Sequence, residues 1–287
     1  MKWYWNLLLV AVVAGLLFGA GCLQEQAVPI SPAPAPLTGH AAMQQVLGNM
    51  TARVQSALDS LDFSASDAAG SLKTTGISGP DADAVLARAA ASHPAVMNVI
   101  TYDPDGTVLA AEPPDAKVLV GQSLIGYAIV QKALTERQPL MSELLMLAEG
   151  GDGVVIAHPV FSTDEKFAGV VSMAFSPDAL VRPIAESAAS GTPYSFMVAQ
   201  PGGRVLYDPD PEEVGRETFN ETLYAGFPEI LDLARHYTAN RTGYDTYSFN
   251  RTGSGEVVSK ETFWDSVQLH GTEWRVFVTG EMGRENP

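Results

Sequence analysis

The chain has 287 residues, 46% hydrophobic and 17% charged, a globular composition with room for one large domain or two of ordinary size. Its 33 acidic against 17 basic residues give a formal charge of −16, which repels nucleic acid and anionic headgroups and excludes DNA or RNA as the main partner. A single cysteine excludes internal disulfides, so the fold must rest on packing.

Residues 1–22 read as an export segment. Lys2 is followed by the apolar run Leu7 to Phe18 and then by Gly19-Ala20-Gly21-Cys22. Small residues before the lone cysteine resemble a lipobox, in which Cys22 would carry lipid, although Gly19 stands where that pattern has an aliphatic residue. An uncleaved signal anchor is the other reading. Either way the remainder is expected outside the cytoplasm, tied to the cell membrane at its N-terminus. Residues 23–37 are a Pro/Ala-rich spacer, and Asn-x-Thr sequons at Asn49, Asn220, Asn240 and Asn250 are candidate glycosylation sites compatible with export.

From Thr38, a possible N-cap, apolar residues Met43, Val46, Leu47, Met50, Val54, Leu58 and Leu61 recur at helical spacing and predict one long amphipathic helix. A second helix is expected from Asp81 to Ser92, before Pro94. Met97 to Glu112 reads as two strands around Asp103-Pro104-Asp105-Gly106, a turn rather than a calcium loop, because the later ligands of such a loop are missing. A helix with Leu124, Tyr127, Ala128, Gln131 and Leu134 on one face follows Val120-Gly121-Gln122-Ser123, and Leu140 to Met146 supplies a third strand. Val154 to Phe175 is a β-hairpin around Ser162-Thr163-Asp164-Glu165-Lys166, completing five antiparallel strands, and a helix runs from Asp178 to Ala189.

The order then repeats. Ser195 to Tyr207 is strand, Gly turn, strand; a helix carries Phe227, Ile230, Leu231, Ala234 and Tyr237; Tyr244 to Phe249 is a strand; Val257 to Leu269 and Trp274 to Thr279 close a hairpin. Gly203 follows Gly106 by 97 residues and Gly215 follows Gly121 by 94, which argues for two copies of one unit.

In this order, Tyr102-Asp103-Pro104-Asp105-Gly106, Pro159-Val160-Phe161 with Gly169-Val170-Val171, Tyr207-Asp208-Pro209, Val214-Gly215, Trp264 and Trp274-Arg275 make residues 38–280 resemble the double Cache extracellular sensor domains. The resemblance implies an α+β fold: a long N-terminal helix followed by two PAS-like modules, each with an antiparallel sheet of about five strands and a small-molecule pocket under its covering helix. The expected divisions are 38–190 for the helix and first, membrane-distal module, 191–280 for the second, membrane-proximal module, and 281–287 for a tail. The pocket used in that family is more often in the first module. Its amino-acid-binding members carry a Trp-Tyr pair in the covering helix, where this chain offers Tyr127, Lys132 and Arg137 without it, which leaves a small polar or carboxylate ligand open.

Candidate ligand residues in the first module are Tyr127, Arg137, Ser142, Glu143 and His158, and in the second Tyr207, Tyr224, Tyr247 and Lys260. His158 is either a pocket contact on the face of Val154, Ile156 and Val160 or a satisfied core histidine. Tyr127 is a packing or a contact residue, and Arg137 and Lys132 are solvated unless the pocket holds an anion. The five histidines show no metal-ligand spacing, and no nucleophile elbow or phosphate loop occurs, so no metal, no cofactor and no enzymatic activity are expected. The functional expectation is a membrane-tethered small-molecule sensing protein that acts through a membrane receptor partner, the sequence after Gly280 offering no output domain. The alternatives are ligand delivery to a transporter and an envelope structural or adhesion lipoprotein.

Overall fold

The computed structural model describes residues 39–251 and 254–283. The expected leader with Cys22, the spacer, Thr38 as N-cap and residues 284–287 lie outside them. Among the described residues, no helix is long and apolar enough to cross a membrane.

Helix α1, His40–Thr75, has 36 residues and runs about 54 Å. It buries one stripe, from Met43 and Leu47 through Leu58 and Leu61 to Ala65, Ala68 and Leu72. Beyond Leu61 alanines carry the next two contacts and give a weak apolar signal, so helical spacing is legible only that far. Helix α2 is Pro80–Ala90. Strands β1 (Val96–Tyr102) and β2 (Val108–Glu112) follow, then a short 3-10 segment, Pro114–Leu119, that periodicity did not anticipate. Helix α3 is Ala128–Glu136 and buries Val130 and Ala133, so the expected face, with Gln131 inward, was rotated.

The expected third strand is two short pieces, β3 (Leu140–Met141) and β4 (Leu145–Met146), both paired with β5 (Asp152–Phe161), which forms the predicted hairpin with β6 (Phe167–Phe175). The sheet order is β2-β1-β6-β5-β3, all antiparallel. Helix α4 (Pro177–Ala189) starts where Ser176 accepts a hydrogen bond from Ala179 N at 3.1 Å, with Pro177 and Asp178 in its first turn. The second sheet contains β7 (Ser195–Ala199), β8 (Val205–Tyr207), β9 (Gly243–Asn250), β10 (Val257–Leu269) and β11 (Thr272–Glu281) in the order β8-β7-β11-β10-β9, the same path as the first. Helix α5 (Pro228–Ala239) covers it and buries Ile230, Leu233, Ala234 and Tyr237.

The duplication is visible bond by bond. Asp103 N donates to Thr107 O as Gln200 N does to Arg204 O; Gly121 N donates to Val108 O as Gly215 N does to Val205 O; Leu124 N donates to Gly106 O as Thr218 N does to Gly203 O. Corresponding residues are 97 apart in the hairpins and 94 apart in the loops behind them, the two offsets read from the glycines. Gly106 and Gly203 both take positive φ, 81° and 102°, as the turn requires.

One face of each sheet packs on α1, and both contribute to a single core in which Met43, Met50, Leu58, Ile156, Met173, Phe175, Trp274 and Val276 are fully buried or nearly so. The N-terminal part of α1 lies along the second sheet: His40 Nε2 is 2.6 Å from a Glu261 carboxylate oxygen, and the Gln55 side-chain amide pairs with the backbone of Gln268 through two 3.0 Å bonds. Its C-terminal part lies along the first, where Lys73 Nζ meets the hairpin's Glu165 at 2.5 Å. The opposite sheet faces carry separate apolar clusters under α3 and α5, and the cavities lie there.

Candidate functional site

The cavity under α3 in the first module measures about 40 Å³. Leu119, Leu124, Ile129, Val130 and Leu147 fill most of the space under α3, with Asn98, Ser172 and Glu149 as the polar lining. Asn98 Nδ2 donates to the Glu149 carboxylate.

Of the residues expected here, only Tyr127 lines this cavity, at the N-cap of α3. Arg137 caps the other end of α3 in the left-handed region and stacks its guanidinium over Phe167 at 4.6 Å. Ser142 is buried, but its Oγ accepts from Val155 N at 2.9 Å and so tethers the strand edge. Glu143 is exposed. His158 is on the other face of β5: Val154, Ile156 and Val160 pack on α1, and His158 Nε2 lies 2.7 Å from Asp62 Oδ1 of that helix. The face of Val154, Ile156 and Val160, expected as a pocket floor, is the helix-packing face. Every residue from Gly153 to His158 is buried, so apolar alternation could not say which side looks into a cavity.

The second module holds a cavity of about 330 Å³ between its sheet, α5 and the loop after β8, the size of a small-ligand site. Tyr224, Tyr247 and Lys260 line it. Tyr207 does not: it is buried on the other sheet face, under the Arg182 guanidinium of α4 at 5.2 Å. Asp208, the residue just past the end of β8, lines the cavity. No periodic signal marks Asp208, because it lies beyond the strand, and within β8 Val205 lines the cavity while Tyr207 does not.

The wall combines phenols, hydroxyls and two opposite charges. Asp208 Oδ1 accepts from Asp210 N at 2.8 Å, and burial, aided by the nearby Glu213 and Asp210 charges, pushes its carboxyl up to about 7. Lys260 Nζ donates to Asn250 O at 2.9 Å, and burial lowers its ammonium below the usual lysine value despite the Asp208 and Glu281 charges. The two share the cavity without a direct ion pair among the described residues.

Burial raises Tyr247 and Tyr237 to about 12, and it raises Tyr224 further, with the Glu213 charge in support. The Tyr224 hydroxyl donates to Glu213 at 2.9 Å. The buried Tyr237 hydroxyl sits beside Thr218 but makes no well-formed hydrogen bond, and a polar atom without a partner costs about 1–3 kcal/mol. Arg251 is already engaged by Glu281 and Glu256. Of the sequons, Asn49, Asn220 and Asn240 are exposed, while Asn250 is half-buried in the cavity wall.

Residues 56–177 match the family model of the HK/GC/chemotaxis protein-like sensor domain. Among solved structures, the extracellular ligand binding receptor from Desulfohalobium retbaense is 25% identical with a TM-score of 0.70, covering 84% of this chain and 41% of that one. The chain thus spans under half the length of that relative. The ligand-binding domain of the Pseudomonas aeruginosa amino acid chemoreceptor PctB, in complex with L-Gln, is 18% identical with a TM-score of 0.58 over 84% of this chain and 90% of that one. That of the Pseudomonas fluorescens chemoreceptor CtaA, in complex with L-alanine, is 15% identical with a TM-score of 0.59 over 85% and 97%. These last two share the fold. Among curated proteins, none matches the chain significantly. With a sensor-domain match over residues 56–177 and two sheets of one topology on one helix, the chain is similar to extracellular ligand-binding sensor domains and has the architecture of two PAS-like modules expected of double Cache domains.

Proposed function

We propose that the chain is the ligand-capturing part of a membrane-tethered, extracytoplasmic sensory system, and that its second-module cavity takes a small molecule bearing an amino and a carboxylate group. One observation carries this reading: Asp208 and Lys260, of opposite charge, line the same cavity without pairing directly with each other. A zwitterion would meet both, its ammonium at Asp208 and its carboxylate at Lys260, with the Tyr237 hydroxyl as a further donor. The amino acids held by the PctB and CtaA domains are of that chemistry, and the same fold supports the reading. Binding would shift the population of sheet and helix arrangements. A membrane receptor would read the change as partner; a transporter partner would make the chain a delivery protein. Lipidation at Cys22 or an uncleaved anchor would supply the tether.

The test is a thermal-shift and calorimetric screen of the chain against amino acids, 4-aminobutyrate, monoamines and organic acids. A zwitterion at a hundred times its Kd stabilises by about 2.7 kcal/mol. The gain is expected to vanish in Lys260→Met and Asp208→Asn. Stabilisation by simple amines or acids alone would redefine the ligand class. Indifference to every compound would favour an envelope scaffold.

A further inference from the structure

Two histidines 112 residues apart in sequence meet at one carboxylate oxygen. His158 on β5 and His270 at the β10–β11 turn place their Nε2 atoms 2.7 and 2.6 Å from Asp62 Oδ1, with the rings edge to face and centroids 5.6 Å apart. The three groups come from the first sheet, the second sheet and the middle of α1.

Their placement is over-determined. His270 holds a left-handed backbone, φ 48°, and the hairpin that carries it is fixed on both flanks. On one flank Gln268 pairs with Gln55 of α1; on the other Thr272 Oγ1 donates to Met141 O of the first sheet at 2.6 Å. The His158 side chain is 8% exposed, those of Asp62 and His270 22% and 21%, so the cluster is buried on one side and reachable on the other.

Two imidazole nitrogens and one carboxylate oxygen form a donor set for a borderline divalent cation. At metal–ligand distances of about 2.0–2.1 Å the donor atoms of a tetrahedral site stand about 3.3 Å apart. Here all three fall within 4.8 Å of one another, and the hydrogen-bonded pairs need to part by roughly 0.7 Å to admit an ion. The geometry points to a zinc-type transition-metal site, Asp62, His158 and His270, that clamps both sheets to α1, with the remaining coordination position open to water on the exposed side. On binding, each neutral imidazole carries its proton on Nδ1, so that both Nε2 lone pairs face the ion.

The full chain, stripped with chelator, is titrated with ZnCl₂ against a competing chromophoric chelator, and with CoCl₂ for visible absorption. One equivalent of Zn²⁺ is expected, raising the melting temperature, while MgCl₂ has no effect. Asp62→Asn and His270→Asn, the latter tolerant of a left-handed backbone, are expected to stay folded by circular dichroism and to lose at least about tenfold in affinity. His93→Gln and His236→Gln, histidines outside the cluster, leave binding unchanged. Zn²⁺ affinity unaltered in a folded His270→Asn variant, abolished by His236→Gln, or absent from the wild-type chain overturns the site.

Discussion

Replacing Asp208 by Asn removes the charge from the cavity while keeping a side-chain oxygen to accept from Asp210 N. In the folded chain the carboxyl sits at about 7, against about 4 for an ordinary aspartate, because burial disfavours its charged form. Between those values the unfolded chain has released its proton and the folded chain still holds it. Stability therefore falls as pH rises, by up to about 1.4 kcal/mol per unit, and levels off above pH 7. Three units amount to about 4 kcal/mol at most, and since Asp208 is only half-buried, solvent screening brings the expectation to about 2–4 kcal/mol.

Urea unfolding followed by circular dichroism from pH 4 to pH 8.5 reads this directly. The difference between Asp208→Asn and wild type is expected near zero at pH 4 and to open to about 2–4 kcal/mol in favour of the variant by pH 8. Subtraction removes the effect of the remaining acidic residues, which both proteins share. Parallel curves would refute the reasoning and would mean that water reaches the carboxylate freely. An amine docked at Asp208 would also ionise it, so wild-type affinity should rise up to tenfold per pH unit below 7 and then flatten.

Tyr237→Phe deletes a hydroxyl that lacks a partner, so chemical unfolding should place its stability within about 1 kcal/mol of wild type while ligand affinity drops. Gly169→Ala would set a Cβ 2.2 Å from Tyr102 O at a φ of 150°, and denaturant melts should register a loss of about 3 kcal/mol; a neutral result would mean that β1 and β6 separate easily. Trp274→Ala empties the centre of the shared core, where the indole meets Phe175 with ring centroids 6.3 Å apart, at a cost of about 3–5 kcal/mol in the same melts. Burial would raise the Asp62 carboxyl, but hydrogen bonds from His158 and His270 outweigh it and hold it below the usual value. Its stabilisation is therefore present above about pH 4 and lost as pH falls through the lower folded value. Asp62→Asn should cost about 1–3 kcal/mol at pH 7 and flatten that acid limb; an unchanged acid midpoint would contradict it.

Local chemistry made much of the fold legible. The β5–β6 hairpin declared itself by two β-branched runs around a connector too polar to bury, and the duplicated loops by glycines that must take positive φ. Pro159 occupies a ladder position opposite Val170, yet β5 has already lost its other neighbour there, because β3 reaches only to Ala157. The faces were harder to read. On β5 both sides are apolar, so nothing local separates the side packed on α1 from the side under α3, and the two readings open for His158 part only where its ring meets Asp62 on the α1 side. Cavity volume was equally illegible: whether Leu124, Val130 and Leu147 fill their module depends on how closely α3 approaches, which no pattern encodes. The meeting of Asp62, His158 and His270 joins residues up to 208 apart, far beyond any periodic signal.

Helix α1 begins beside the second sheet and finishes beside the first, and β11 brings the chain back to the starting end, where Met43 lies 3.6 Å from the place a Cβ on Gly280 would occupy. His40 and Glu281 thus lie at one pole of the unit that starts at Leu37. The first sheet hangs from the other pole like the far arm of a balance, with α1 as the beam and the histidine pair at its midpoint. A strain arising at that far arm has to pass along the beam, over some tens of ångströms, before it reaches His40 or Glu281. Lys260, opposite Glu281 on the β10–β11 ladder, sits at the near pole instead.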